Sequence, residues 1–260
     1  MEKKKMMHIS IANGDIGGYV LLPGSPERAE MLSHYLDDVH EVAWFREYRT
    51  FTGFLDGERV SITSTGMGGP SMAIAVEELH ECGAHTVIRV GTCTSTSDHV
   101  HACDLVLPNG AVRMEKVAEY YSSPEYPAVP DMDVLAALEE AAVAGKKPHH
   151  IGVNISKACF STQYMGQDRP WGSELRQRWQ AYEAGGALSA DMSCATLFVA
   201  ASAEQMRAGA VLAVTTERNQ RPVYQCDIPQ ECETLACDAA VAGLRCLIRA
   251  DRRRAEEAKA

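Results

Sequence analysis

The chain has 260 residues, 46% of them hydrophobic and 23% charged, with a net charge of -10. That is the composition of a globular protein with a packed core, and one large α/β domain spanning residues 1–260 accommodates it, since single cores stop growing only near ~250 to 300 residues. The acidic balance argues against a nucleic-acid surface, no run approaches the ~18 apolar residues of a membrane span, and His8 follows the basic start where a signal peptide would be apolar. The expected compartment is the cytoplasm. Nine cysteines, an odd number without C-x-x-C spacing, suit reduced thiols better than zinc or disulfides.

His8 precedes the first apolar segment and reads as a surface histidine near a terminus. Residues 19–22 form a short apolar strand stopped by Pro23 and Gly24, after which Ser25 caps a helix that starts at Pro26. Free N–H groups and a positive helix end then lie beside Gly24, with Arg28 one turn in, which makes an anion cradle. Residues 42–54 read as a strand pair turned at Asp56 and Gly57, in which Arg46 is a solvated strand arginine. Residues 61–71 repeat the pattern of strand, glycine turn and helix start. A glycine turn of this kind also serves purely steric needs.

Met72, Val76 and Leu79 recur at helical spacing up to Cys82 and Gly83. The run Thr-Val-Ile-Arg-Val at 86–90 follows and breaks at Gly91 into a polar loop, Thr92 to Ser97, that holds Cys93 and Thr94. Strand, helix and strand at this spacing make a right-handed βαβ unit whose ligands sit at the carboxyl ends of parallel strands, where Gly24, Gly66 and Thr92 fall. Arg89, between Ile88 and Val90, is expensive to bury without an anion.

The pattern His99-x-His101-x-Cys103-Asp104 invites a metal, yet it lacks a second ligand cluster and reads as a solvated turn, so no metal is assigned. Residues 122–130 read as a loop, 132–144 as a helix and 151–155 as a strand. The stretch 159–179 is irregular, with dispersed aromatics, and reads as a surface loop or as a place where binding groups collect. A helix runs from Asp191 and Met192 to Met206, a strand covers 211–214 and ends in polar Glu217 and Arg218, and a closing amphipathic helix covers 229–249. The charged tail 250–260 is expected to fray from the 8–249 core.

Residues 22–28, 45–48, 64–71, 75–79, 89–92, 166–169 and 191–197 resemble, in order and over nearly the whole chain, the hexameric nucleoside phosphorylases, the uridine phosphorylase branch above all. The resemblance implies a single-domain three-layer sandwich with a mixed, mostly parallel central sheet flanked by helices. It implies phosphorolysis of a nucleoside, with inorganic phosphate as co-substrate and no cofactor. Gly24, Arg28, Arg46, Arg89 and Thr92 match the phosphate-binding positions, Arg46 being donated by a partner subunit. His8 matches a histidine that reaches a neighbour's ribose, so a homo-oligomer is implied, a hexamer built from dimers that share active sites. Gln167 and Arg169 match the pair on the uracil amide edge, an arrangement suited to an imide, and Arg218 matches a residue that stabilises charge on the departing base. Glu217 leaves a purine-type proton donor open.

Three positions depart from the pattern. The family's Glu-Met-Glu is here Asp191-Met192-Ser193, so the carboxylate that binds the ribose hydroxyls becomes a serine. A glycine beside the base is Thr94, and an aromatic next to the base falls at Gln163. A charge-assisted hydrogen bond lost at Ser193 costs ~1.5 to 3 kcal/mol. These departures favour a modified-sugar or purine substrate, or a silent nucleoside-binding member, as alternatives to uridine.

Overall fold

The computed structural model describes residues 4–164, 169–222, 224, 227 and 229–259. Nine strands form one mixed sheet in the order β2-β3-β4-β1-β5-β8-β7-β6-β9, and β9 pairs back onto β5. The strands β5, β8, β7, β6 and β9 therefore close into a ring, with β4, β3 and β2 extending from β1. The strands are β1 (Tyr19–Pro23), β2 (Asp37–Phe45), β3 (Tyr48–Leu55), β4 (Glu58–Thr63), β5 (Thr86–Ser95), β6 (Leu105–Met114), β7 (His149–Lys157), β8 (Ser189–Asp191) and β9 (Arg207–Thr216). The helices are α1 (Pro26–Ser33), α2 (Gly69–Glu81), α3 (Met132–Ala144), α4 (Gly172–Ala184), α5 (Cys194–Ala203) and α6 (Gln230–Glu257).

The alternation of side chains along β5 builds both layers. Ile88 and Val90 pack into a core with α1, α3 and α6. Val87 and Cys93 face the opposite core, with α2 and α5. The expected βαβ unit is present, since β4 and β5 both pair parallel with β1 from its two sides. Their carboxyl ends accordingly lie side by side.

Five expectations change. The strand expected to break at Gly91 runs to Ser95, because β9 continues as its partner past Gly91 and β8 then takes Thr94 and Ser95. The 42–54 pair turns at Arg46 and Glu47, with Arg46 at φ 56, and Asp56-Gly57 joins β3 to β4 instead. Part of the irregular stretch is helix α4, which buries only Gly172 and Trp179 and so shows no apolar period. Helix α6 continues to Glu257 where fraying was expected. Its last turns are tied down: Arg207 donates to Asp251, Arg252 to the carbonyl of Asp56, and Arg254 to Asp133. Finally, Cys103 and Cys232, 129 residues apart, form a disulfide where reduced thiols were expected. The turn before β6 meets the first turn of α6 only in the folded chain.

Candidate active site

The carboxyl ends of β1, β4 and β5 open onto a cavity of about 240 Å³. At the first, the Ser25 hydroxyl accepts from the Arg28 N–H at 3.3 Å, and Pro26 starts α1, so the helix begins abruptly and turns Arg28 into the cavity. Arg28 is 9% exposed; one guanidinium nitrogen pairs with Glu233 of α6, while its Nε has no partner among the described residues. At the second, Gly66 and Gly68 have φ of 69° and 91°, which a side chain would strain, and they bring backbone to the cavity wall. Gly24, Thr92 and Arg89 complete this side.

Arg89 is held from behind. Its Nε donates to Asp191 Oδ2 at 2.9 Å, and Nη1 has no partner among the described residues. Gly91, two residues on and so on the same face, supplies the room: a Cβ there would lie 3.1 Å from the Arg89 Cζ. Asp191 also accepts from Asn154 Nδ2 and Ser156 Oγ, each at 2.8 Å, and from the N–H groups of Ser193 and Cys194. Burial works to raise its pKa, but Arg89 and these donors hold the carboxyl below the usual carboxylate range. Asp191, matched above to nucleoside binding, lines the cavity with its oxygens already occupied by the scaffold.

Cys93 lines the same cavity, but burial pushes its thiol far up and Sγ donates to the Ala213 carbonyl, so it is no thiolate nucleophile. Met192 and Ser193 are on the wall as well; Ser193 is 1% exposed and its hydroxyl has no partner among the described residues. A residue that sequence reasoning missed lines the same cavity. Lys157, the last residue of β7, is buried at the cavity wall, with Nζ donating to the Phe160 carbonyl at 2.6 Å and to Gln163 Oε1. No pattern marked it, since a lysine at a strand end is ordinarily solvated.

A second cavity, of about 220 Å³, adjoins the first through Thr94. Gln163, Trp179 and Arg218 are on its wall. Arg218 donates to Asp98 at 2.8 Å and lies 3.5 Å from a Glu183 oxygen, leaving Nε without a partner among the described residues. The two cavities share Thr94, with Arg28 and Arg89 on the wall of the first and Arg218, held by Asp98, beside Gln163 on the wall of the second.

The phosphorylase superfamily model matches residues 19–242. The chain belongs to this superfamily. It is 41% identical over 244 residues to a uridine phosphorylase of Treponema pallidum (strain Nichols), covering 94% of this chain and 95% of the relative. It is 32% identical over 259 residues to the uridine phosphorylase of Escherichia coli (strain K12), covering 95% and 100%. A guanosine phosphorylase of Halorubrum lacusprofundi is 36% identical over 210 residues, covering 81% and 83%.

The remaining described residues matched to the phosphorylase pattern lie outside both cavities of the protomer. Arg46 is exposed at the β2–β3 turn, its guanidinium 5.4 Å from the Phe45 ring centroid. His8 hydrogen-bonds Glu78 through Nδ1 at 2.7 Å, and Glu78 also accepts the Ile9 N–H at 2.8 Å, which pins the segment ahead of β1 to α2. Glu217 accepts from the Ala102 N–H at 3.3 Å and sits near His101, away from either wall. Arg169 is exposed, and Gln167 lies outside the described residues.

Proposed function

We propose that this protein is a pentosyltransferase that cleaves the N-glycosidic bond of a uridine-like nucleoside with inorganic phosphate, releasing the free pyrimidine and a pentose 1-phosphate. One observation carries the reading: Gly24, Arg28, Arg89 and Thr92 converge on one cavity, with Arg28 Nε and Arg89 Nη1 unpaired among the described residues. Guanidinium groups suit the oxygens of a phosphate dianion. The names of the relatives at 32% and 41% identity support the same reading.

In that reaction a phosphate oxygen attacks C1′, the C1′–N bond breaks, and its electron pair leaves with the base. Arg28 and Arg89 hold the nucleophile close to C1′, which supplies most of what positioning can give. Arg218, Gln163, Gln167 and Arg169 are the proposed base-side group, Arg218 meeting charge that develops on a uracil carbonyl. Met192 and Ser193 border the pentose, and Thr94 borders the base. No organic cofactor or metal is called for. His8 and Arg46, which lie away from the protomer's own cavities, are assigned to a neighbour's site in a homohexamer of dimers.

The relative named as a guanosine phosphorylase favours one alternative, a purine nucleoside. A phosphate-dependent absorbance assay on uridine, thymidine, inosine and guanosine separates the two; base release from none of them overturns the phosphorolytic reading. The proposed compartment is the cytoplasm. A reducing compartment disfavours the Cys103–Cys232 disulfide of the structure, so trapping that pair as a disulfide in intact cells would overturn the placement.

A further inference from the structure

On the wall of the cavity that holds the phosphate cradle, Lys157 and Ser193 present hydrogen-bond donors. Lys157 is 3% exposed, and its contacts are neutral: the Phe160 carbonyl, the Gln163 amide oxygen, and the Phe160 and Trp179 rings, whose centroids lie 5.2 and 5.9 Å from Nζ. Among the described residues it makes no ion pair, and the Asp191 carboxylate acts on it only through space. An ammonium taken out of water is ordinarily paired with an anion. The carboxylate of the same cavity wall, Asp191, is occupied by Arg89, Asn154, Ser156 and two backbone N–H groups. Ser193 adds a buried hydroxyl without a partner among the described residues.

Register places these groups together. Ser156 on β7 is paired with Asp191 on β8, so Lys157 leaves one strand beside Met192 and Ser193 leaving its neighbour. In the order β1-β5-β8-β7, Lys157 leaves a strand two spacings, ~10 Å, from β5 and its Arg89, and Ser193 leaves the strand between them. Lys157 lines the first cavity while its acceptor Gln163 lines the second. A pentose whose C1′ meets phosphate on one side and carries the base on the other must pass this junction.

We propose that Lys157 and Ser193 form a second anion subsite, and that the preferred nucleoside carries a negatively charged group, a phosphate or a carboxylate, on its pentose. The inference rests on the phosphorolytic reading for its placement of the sugar. A sugar hydroxyl can also accept from these donors, but only an anion supplies the counter-charge that the buried ammonium is not paired with among the described residues. Lys157 is thereby a specificity-determining residue.

Calorimetry on the intact protein with phosphate present compares uridine, its 2′-, 3′- and 5′-monophosphates and uridine 5′-carboxylate, with base release followed in parallel. At least one anionic nucleoside should bind ten or more times tighter than uridine. The phosphate and carboxylate arms identify the substituent. Lys157→Met should remove that advantage and Lys157→Arg should keep most of it. Equal or tighter binding of uridine than of every anionic probe, or an advantage that survives Lys157→Met, overturns the subsite; if that variant does not fold, the wild-type panel decides. Base release from uridine without an anionic preference refutes the subsite alone, and an anionic preference without base release from any probe refutes phosphorolysis alone.

Discussion

Asp191 grips Arg89, a residue of the cavity wall, through Nε at 2.9 Å, and Nη1 of the same guanidinium is buried without a partner among the described residues. The carboxylate fixes the direction of the arginine without blocking the face that would meet phosphate. Asp191→Asn removes the counter-charge of a buried pair, and breaking such a pair costs ~3 to 5 kcal/mol. Urea unfolding at pH 7 should show a loss of that order, with a raised KM for phosphate. The pH dependence has a definite sign. Because the folded pKa of Asp191 lies below the ordinary 3.8, the stability it confers is complete above that value and is lost as pH falls through the folded pKa. The Asn variant should lose this acid-dependent component.

Lys157 works in the opposite sense. Burial lowers its pKa from 10.5 to about 8, so the fold favours the neutral amine. The corresponding stability is present above pH 10.5 and is lost as pH falls through 8. Below pH 8 the buried ammonium destabilises the fold by up to ~3 kcal/mol. Lys157→Met should therefore be more stable than wild type at pH 7, by an amount that shrinks between pH 8 and 10.5 in denaturant titrations. A gap that is constant with pH would contradict the shift.

Gly91→Ala tests whether the arginine needs the space beneath it. The added Cβ would lie 2.8 Å from the Leu212 Cδ2 and 3.1 Å from the Arg89 Cζ. Overpacking of this kind costs ~1 to 3 kcal/mol, and the displaced guanidinium should raise the phosphate KM roughly tenfold, about 1.4 kcal/mol of lost binding. Phosphate titrations at saturating nucleoside read the effect.

Arg46→Ala separates a shared site from a self-contained one. Arg46 is exposed and away from the protomer's own cavities, so in a monomer its loss should change nothing at the site. If a partner's Arg46 completes the phosphate site, a lost charge-assisted bond of ~1.5 to 3 kcal/mol weakens phosphate binding tenfold or more while light scattering shows the same oligomer as wild type. A native monomer with full activity would remove the roles given to both His8 and Arg46.

The sequence by itself determined the elements whose signals are local. Ser25 and Pro26 start α1, the period of Met72, Val76 and Leu79 makes α2, and the β-branched run 86–90 makes most of β5. These rest on capping, periodicity and steric propensity, which act within a few residues. Only the tertiary structure decided what depends on chain segments far apart. Strand β5 outlasts Gly91 because β8 and β9 lie beside it, and α6 holds its last turns because Arg207 and Asp133 wait across the fold. The same distinction divides the site. An arginine between Ile88 and Val90 announced its need for an anion, since burying a charge is costly wherever it occurs. That Asp191 answers that need from 102 residues away, and that Lys157 donates to the Phe160 carbonyl and the Gln163 amide, follows from which strands were brought together. No local rule carries that information, because electrostatic partners are set by distance through space and not along the chain.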